Sequence, residues 1–462
     1  MTAPDASSHG IDPHEAAKTS RPAIHDRRSG ATKPETVKHQ IDPVFDQRSE
    51  ALVLGTMPSP KSREAGFFYG HPRNRFWPVL AAVFNEPTPE TIEQKRDLCL
   101  RHHLALWDVL ASCRIEGASD ASIEDPVPND LTPIVEAAPI THVFCTGATS
   151  ERLYRRLCQP DTGLEAARLP SPSPANAAAS FDKLVEAYAP LAQAVTPFEP
   201  PALDVAQMVE LERLVAETGT SLDELMRRAG RAVAWQASKM LRQRSVAGTL
   251  DGTAEGAAAT AAHAPTTAAE DASAPHVVIL CGHGNNGGDG WVAAECLSRG
   301  MFGTTPDVTL VTARDASDLT AEPARTAALR SLSTCAEAER PFAVEKDPDP
   351  ARLDALLAQA DVAIDAMLGT GFCHDEVREP YQSWVEALNR AHAAGVAVLA
   401  ADVPSGLNAQ TGKPAATTVR ADMTLTMIAP KRGLLHKSAL PFVGSLETAA
   451  IAYVEPLLER YT

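Results

Sequence analysis

Hydrophobic positions in the second half of the chain form short apolar runs separated by helical patterns. The runs lie at 276–280, 308–313, 362–368, 396–401 and 423–428. Helical patterns precede them at 204–217 and 221–241, and another lies between the later runs at 381–391. Alternation of this kind predicts a parallel sheet with helices on both faces. The first half opens its own α/β pattern at the apolar run 51–54.

Changes in composition divide the chain into segments. Residues 1–45 are rich in polar residues and proline with hardly an apolar run, which predicts a disordered tail. A first α/β domain is expected over 46–196 and a second over 203–462, joined by a proline-rich linker at 197–202. An Ala/Thr/Gly-rich stretch at 247–275 predicts a low-complexity insert in the second domain.

Charge and cysteine content exclude some functional classes. The 462 residues carry 42 basic and 59 acidic side chains, a net charge of −17, so bulk charge does not favour coating nucleic acid or anionic membrane. No apolar run is long enough for a membrane helix and no leader pattern opens the chain, so we expect a cytoplasmic protein. The eight cysteines lack paired metal-ligand spacing, so neither zinc nor an iron–sulfur cluster is expected.

Three polar clusters follow apolar runs of the second domain. They are Cys281–Gly290, Asp365–Gly371 and Asp402–Gly406, with the spacing G-x-G-x-x-G in the first and a helix expected from about Trp291. The carboxyl ends of parallel strands share one edge of a sheet, where such folds bind ligands, so the clusters are expected to converge. Taken singly, the aspartates at 365 and 402 are equally well explained as helix caps.

The side chains in these clusters suit two kinds of chemistry. Asn285, Asn286, Asp365 and Ser405 carry oxygen atoms that could surround a hard cation. Asp402 could act as an acid or a base. The clusters therefore predict a combined cation and substrate site.

Several segments of this half resemble the NAD(P)H-hydrate epimerase family, also called the YjeF N-terminal domain family. They are Leu225–Gly230, Gly284–Gly290, Asp365–Gly371, Asp402–Gly406 and Ala421–Thr426. The resemblance covers about 203–462 and implies a Rossmann-like fold that interconverts the R and S epimers of hydrated NADH or NADPH with one potassium ion. Arg227 departs from the family pattern, which usually has glutamate there.

The resemblance also implies roles for individual residues. The potassium ligands fall on Asn286, Asp365 and Ser405. The substrate-binding residues fall on Asn285, Asn286, Gly287, Gly288, Asp289, Gly369, Thr370, Gly371, Phe372, Cys373, His374, Asp375 and Asp402. We hypothesise that Asp402 assists proton transfer at the hydrated ring carbon and that Lys431 adds positive charge. No dehydratase follows within the 462 residues, so a separate NAD(P)H-hydrate dehydratase is expected as a pathway partner, and a homodimer stays open.

The first domain combines cations with aromatic side chains. Between 51 and 77, four basic residues oppose one acidic residue and alternate with aromatics. The basic residues are Lys61, Arg63, Arg73 and Arg75, and the acidic residue is Glu64. Such a patch offers cations for phosphates and ring faces for a base. The alternative is that the aromatics form core and the arginines a solvated rim.

This domain resembles the DNA-deoxyinosine (hypoxanthine-DNA) glycosylase branch of the uracil-DNA glycosylase superfamily. The motifs are Gly55-x-x-Pro-Ser59, Tyr69-Gly-His-Pro-x-Asn-x-Phe-Trp77 and Leu169-Pro-Ser-x-Ser-Pro-Ala-Asn176. The resemblance implies an α/β/α sandwich in which Asn74 orients the attacking water for hydrolysis of a flipped deaminated base, hypoxanthine first and uracil second. DNA and base contacts fall on Gly55, Ser59, Tyr69, His71, Asn74, Phe76, Ser171 and Ser173. Met57 and Leu169 stand where relatives carry polar residues.

The sequence therefore predicts a bifunctional repair enzyme that acts on DNA containing deaminated bases and on hydrated NADH or NADPH. The alternative is an epimerase whose first domain binds DNA without catalysis. A nucleotide-sensing scaffold without turnover is a third hypothesis, which the intact oxygen ligands disfavour.

Overall fold

Two parallel sheets, each covered by helices, form the described part of the chain. The computed structural model describes residues 34–251, 274–337 and 341–461. A four-stranded sheet and a small three-stranded sheet lie in the first half, and a seven-stranded sheet lies in the second. The expectation of two α/β units with parallel sheets is confirmed.

The described part of the first half, from residue 34 onward, contains seven strands and eight helices. The strands are β1 (Glu35–Lys38), β2 (Ala51–Gly55), β3 (Leu104–Asp108), β4 (Leu110–Ile115), β5 (Glu124–Pro128), β6 (His142–Thr146) and β7 (Ala166–Leu169). The helices are α1 (Pro60–Ala65), α2 (Phe76–Val83), α3 (Ile92–Arg101), α4 (Thr132–Ala137), α5 (Ala148–Leu157), α6 (Gln159–Thr162), α7 (Phe181–Tyr188) and α8 (Pro190–Gln193).

The main sheet of this half has the order β3-β2-β6-β7 with all neighbours parallel. Side chains alternate between its faces, so Ala51 and Val53 belong to one hydrophobic core while Leu52 and Leu54 belong to the other. Helices α2, α3 and α7 contribute to the first core, and α4 and α5 to the second. The arrangement is an α/β/α sandwich.

Order begins earlier than the sequence suggested. The segment 34–45 was assigned to the disordered tail, which is wrong: β1 pairs antiparallel with β4 in the three-stranded sheet β1-β4-β5. Val37, Ile41 and Val44 are buried at 5%, 8% and 1% exposure. These sparse apolar residues are sufficient because they join an existing core. The rest of the predicted tail lies outside the described residues.

In the second half, the residues that the structure describes form seven strands and eight helices. The strands are β8 (His276–Cys281), β9 (Asp307–Thr312), β10 (Ala343–Lys346), β11 (Val362–Ala366), β12 (Ala397–Ala401), β13 (Met423–Met427) and β14 (Ser445–Ala449). The helices are α9 (Val205–Glu217), α10 (Leu222–Asp251), α11 (Asn285–Ser298), α12 (Ala324–Ala336), α13 (Pro350–Ala358), α14 (Tyr381–Ala393), α15 (Leu440–Val443) and α16 (Glu455–Leu458).

The seven strands have the order β10-β9-β8-β11-β12-β13-β14, and all pairs are parallel. Its first six strands follow the 3-2-1-4-5-6 order of doubly wound dinucleotide-binding folds. Helices α9 to α12 pack on one face and α13 and α14 on the other. The predicted Rossmann-like sheet is confirmed. The five apolar runs correspond to its inner strands, and the structure adds β10 and β14 at the two edges.

Two helices differ from the sequence-based expectation. Helix α11 begins at Asn285 rather than near Trp291, so the glycines of its first turns are helical. They permit close packing: a Cβ at Gly287 would lie 2.0 Å from the carbonyl oxygen of Gly282. Helix α10 continues to Asp251, and the remainder of the predicted insert from 252 to 273 lies outside the described residues.

The two halves meet through buried ion pairs on α10. Arg228 is 7% exposed, and its guanidinium donates to Asp97 Oδ2 at 2.5 Å and to Glu224 Oε1 at 2.7 Å. Arg231 donates to Glu90 of the first half. Within 34–251, 274–337 and 341–461, no helix has the length and apolarity needed to cross a membrane.

Candidate active sites

The three polar clusters of the second half meet at one sheet edge. Strand β11 lies between β8 and β12, with Asp365 opposite Leu280 on one side and Ala400 on the other. The first cluster approaches the second so closely that a Cβ at Gly282 would lie 1.8 Å from the carbonyl oxygen of Met367. The predicted convergence is thus present in the fold.

Asp365 is the fully buried carboxylate of this edge. Its Oδ2 accepts a hydrogen bond from the Ser405 amide at 2.7 Å, and its Oδ1 accepts one from the Ser405 hydroxyl at 2.6 Å. Burial raises the pKa of Asp365 from 3.8 to about 6 even though the hydrogen bonds from Ser405 and Met367 oppose the rise. A negative charge here lacks a compensating cation from the described side chains.

Asn286 brings another oxygen to the same place. Its Nδ2 donates to the Leu368 carbonyl at 3.2 Å, while its Oδ1 is buried and has no hydrogen-bond partner among the residues described. Leu368 in turn donates its amide to Ser405 Oγ at 2.9 Å. An orphaned amide oxygen beside a buried carboxylate and a hydroxyl fits a hard monovalent cation. No cluster of three or more His, Cys, Asp or Glu suited to a metal occurs in the described ranges.

Asp402 follows β12 and is bound to a buried lysine. Its Oδ1 accepts from the Lys431 ammonium, from Thr426 Oγ1 at 3.2 Å and from the Met427 amide at 3.1 Å. Asp402 has φ +65°, a left-handed backbone conformation that is uncommon for a residue other than glycine. The carboxylate is therefore held tightly in an unusual position.

Asp289 is a second acidic residue near Asp402. It lies on the first turns of α11 and is 8% exposed. Burial raises its pKa well above the ordinary value, and the negative charges of Asp402 and Glu212 raise it further. The site thus contains a salt-bridged carboxylate and a neighbouring carboxyl group that tends to keep its proton.

The second predicted substrate segment lies at the rim of this site. Gly369 contacts the Asn286 side chain closely, since a Cβ there would lie 3.2 Å from Asn286 Cβ. From Gly371 onward most residues are exposed, including Cys373, and Asp375 forms an exposed ion pair with Lys413 at 2.7 Å. Asn285 is exposed at the start of α11.

The first half has its own cavity, of about 510 Å³, at the carboxyl edge of its parallel sheet. Gly55, Asp108 and Thr146 end β2, β3 and β6, and all three line the cavity together with Ser171 just beyond β7. Of the predicted DNA and base contacts, the cavity contains Gly55, Ser59, Tyr69, Asn74, Ser171 and Ser173.

Tyr69 presents a fixed aromatic face in this cavity. Its ring stacks on Phe76 with centroids 3.8 Å apart, and its hydroxyl lies 3.0 Å from Thr146 Oγ1. Burial raises the pKa of Tyr69 well above its ordinary value, and the negative charge of Asp108 adds to the rise. The backbone of Tyr69 has φ +52°, a second left-handed residue at a candidate site.

Arg75, the residue after Asn74, ties the Asn74 segment to the Pro/Ser-rich loop at 169–176. Asn74 Oδ1 accepts from the Phe76 amide at 2.9 Å, which leaves one lone pair of that oxygen for another donor. The Arg75 guanidinium donates to the carbonyls of Ser173 at 3.1 Å and Asn176 at 2.8 Å. Arg75 therefore stabilises the loop rather than offering its charge to a phosphate.

Other parts of the sequence-based site differ in the structure. His71 does not line the cavity, and Phe76 is fully buried beneath Tyr69. Lys61 pairs with Glu64 on the surface. Asp108 and Asp120 both line the cavity. The sequence indicated that their segments add polar groups here, but it assigned neither aspartate an individual role, although the position of Asp108 at the end of a strand was a usable signal.

Comparison with known proteins matches both halves. The family described as "YjeF-related protein N-terminus" matches residues 222–433. An NAD(P)H-hydrate epimerase of Rhodopirellula baltica is 33% identical over 187 residues, which are 40% of this chain and 70% of that protein. A "Bifunctional NAD(P)H-hydrate repair enzyme Nnr" of Coxiella burnetii is 35% identical over 240 residues, 52% of this chain. The match spans only 39% of the Coxiella protein's length.

The first half matches a different group of proteins. A "Hypoxanthine DNA glycosylase" of Methanosarcina acetivorans is 31% identical over 141 residues, which are 30% of this chain and 89% of that protein. The fold defines a two-unit α/β protein, with an α/β/α sandwich in the first half and a doubly wound parallel sheet in the second. Each unit has a polar site at the carboxyl edge of its sheet. The chain belongs to the NAD(P)H-hydrate epimerase (YjeF N-terminal) family in its second half and to the hypoxanthine-DNA glycosylase family in its first.

Proposed function

We propose that the chain is a bifunctional repair enzyme. Residues up to 196 would hydrolyse the N-glycosidic bond of hypoxanthine, and secondarily uracil, in DNA, while 203–462 would epimerise hydrated NADH and NADPH. The observation that carries the epimerase assignment is the orphaned Asn286 Oδ1 beside Asp365 and Ser405. The glycosylase assignment is supported by Asn74 and Tyr69 in one cavity at a sheet edge.

Epimerisation requires a bond at the hydrated ring carbon to break and re-form. In the proposed mechanism, Asp289 gives a proton to the hydroxyl, which departs as water while the lone pair of the adjacent ring nitrogen stabilises the cation. A water then bonds to the other face of the ring carbon and returns a proton to Asp289. Asp402 is held by Lys431 and would assist this proton transfer at the hydrated ring carbon. A carboxyl group whose pKa is raised by burial, next to a carboxylate that is bound to a lysine, suits this division of roles.

A potassium ion would be held by Asn286, Asp365 and Ser405. When bound, it supplies positive charge that holds oxygen atoms of the dinucleotide. The start of α11 would provide amide groups toward the diphosphate.

Base release would proceed by water attack on a sugar that becomes cation-like. Asn74 is an amide and does not take up a proton at neutral pH, so it would orient water with the free lone pair of Oδ1. The rate enhancement would then come from positioning and electrostatics. We further propose a cytoplasmic location and a pathway in which a dehydratase acts on the same hydrated nucleotides.

The test is base release from duplexes with a single deoxyinosine or deoxyuridine, followed by alkaline strand cleavage. Asn74→Ala should abolish release and keep epimerisation, whereas Asp402→Asn should do the reverse. Retained activity of the other half shows that the chain is intact, and a melting curve of each variant checks the fold of the half that carries the change. Epimerisation without release at either base would favour the alternative, an epimerase with a DNA-binding first half.

A further inference from the structure

One acidic side chain in the cavity of the first half has no role in the proposed water attack. Asp108 ends β3, is 5% exposed and lines the same cavity as Asn74 and Tyr69. Its Oδ1 lies beside Gly55, where an added Cβ would come within 2.1 Å. A side chain larger than hydrogen at 55 would therefore displace this carboxylate.

His39 fixes the other oxygen of Asp108. The Ile41 amide donates to His39 Nδ1 at 3.2 Å, so that nitrogen carries no proton and Nε2 does. His39 Nε2 then donates to Asp108 Oδ2 at 2.9 Å, with the two side chains 4% and 7% exposed. The carboxylate is thus oriented by a histidine from the segment that precedes the main sheet.

The depth of Asp108 indicates which part of a nucleotide it meets. A flipped nucleotide enters such a cavity base first, with the sugar and phosphates nearer the mouth. Asp108 and Thr146 are buried, whereas Asn74 and Ser173 are partly exposed. The carboxylate therefore lies at the end that receives the base edge.

A carboxylate only accepts hydrogen bonds, and this decides which bases it tolerates. Hypoxanthine and uracil carry a ring N–H beside a carbonyl, whereas adenine and cytosine carry a lone pair at the corresponding nitrogen. We propose that Asp108, positioned by His39, accepts this ring N–H and thereby selects deaminated bases over adenine and cytosine. The inference rests on the proposed glycosylase function of the first half.

The selection would be strong because the site is buried. An acceptor facing a lone pair leaves two desolvated groups unpaired, and sites built around one hydrogen bond reject analogues that lack it. Asp120 has a different place in the cavity, since its Oδ2 already accepts from Thr56 Oγ1 at 2.8 Å. Asp108 is accordingly the residue to which we assign specificity.

The test measures binding separately from catalysis. Duplexes carry one 2′-fluoro analogue of deoxyinosine or deoxyadenosine, which resists hydrolysis, and the full chain is titrated with each. The wild type should prefer the inosine duplex by at least about tenfold. Asp108→Asn should remove most of that preference, whereas the exposed control Asp182→Asn should keep it. An unchanged preference in Asp108→Asn, or none in the wild type, would overturn the inference.

Two further arms separate the outcomes. Hypoxanthine release with unchanged selectivity in Asp108→Asn would contradict the role of Asp108 and leave the proposed glycosylase function intact. Selective binding that depends on Asp108, without base release, would support the role of Asp108 and contradict the glycosylase function. If Asp108→Asn fails to fold, His39→Phe should still lower the inosine preference. His39→Gln, which keeps an N–H donor, should restore part of it, and equal behaviour of the two His39 variants would refute the positioning role.

Discussion

The Lys431 ammonium, 1% exposed, donates a hydrogen bond to the Asp402 carboxylate at the carboxyl edge of the second sheet. It also donates to Thr426 Oγ1 and to the Met427 carbonyl, each at 3.0 Å, so all three of its protons have acceptors. Such a pair is stable only while both members are present, because either charge alone would be buried without a partner.

Lys431→Met should therefore destabilise the second half strongly. Removing one member of a buried ion pair costs roughly 3–5 kcal/mol. The free energy of unfolding from urea titration measures the loss, and adding Asp402→Asn should recover part of it. Lys413→Met is the control, because Lys413 and Asp375 form an exposed pair worth less than about 1 kcal/mol. Equal losses for the two lysines would contradict the assignment.

Two glycines three residues apart should respond differently to a methyl group. At Gly287 a Cβ would lie 2.0 Å from the Gly282 carbonyl oxygen, whereas at Gly284 nothing lies within 4 Å. Gly287→Ala must displace α11 from β8. It should lower the melting temperature and reduce the epimerisation rate by well over tenfold. Gly284→Ala should keep wild-type melting and rate. Melting curves and epimerisation rates check the pair, and tolerance of Gly287→Ala would disprove the close packing.

The sequence allowed much of the second half to be predicted because its pattern is regular. Five fully or largely buried strands gave continuous apolar runs. Their order on the sheet was not predicted, because spacing along the chain gives only sequential adjacency, and it comes from the structure. The start of α11 was misjudged because glycines at 287, 288 and 290 are typical of loops, and only the packing of the helix on its neighbours explains them.

The first half was harder to predict because its site depends on long-range contacts. His39 and Asp108 are 69 residues apart, and no local pattern links a polar N-terminal segment to the end of a strand. Arg75 likewise suggested a phosphate ligand by its charge, yet its partners are loop carbonyls about 100 residues further on. Motif spacing indicated the loops but not the hydrogen bonds between them.

The contact between the halves should weaken in acid. Burial alone would raise the pKa of Glu224, but hydrogen bonds from Arg227 and Arg228 lower it from 4.5 to about 2. Gln94 of the first half also donates to Glu224, at 2.8 Å, so this carboxylate is part of the contact between the halves. A carboxyl group whose pKa is lowered on folding stabilises the fold above its unfolded pKa, and this stabilisation is lost as pH falls from about 4.5 toward 2. Unfolding free energies measured across that range should decline, and Glu224→Gln should flatten the decline.

The matched control for this pH dependence is Glu165→Gln, since Glu165 is exposed. It should leave the acid-dependent decline unchanged. Arg228→Met removes the donor to Asp97 and Glu224 at once and should let the two halves melt in separate calorimetric transitions. A single transition in Arg228→Met would show that these ion pairs do not couple the halves.

Potassium should stabilise the chain only while the Asn286 oxygen and an ionised Asp365 are present. A ligand at ten times its dissociation constant adds about 1.4 kcal/mol, which raises the melting temperature by a few degrees. The effect should appear at pH 7.5 with potassium chloride relative to choline chloride. It should shrink below pH 6, because burial raises the pKa of Asp365 to about 6 and the protonated acid does not ligate a cation.

Asn286→Ala should abolish the potassium effect while Asn285→Ala keeps it, because of these two side chains only the oxygen of Asn286 is buried without a partner. A potassium shift that survives Asn286→Ala, or that is the same at pH 5 and pH 7.5, would place the ion elsewhere.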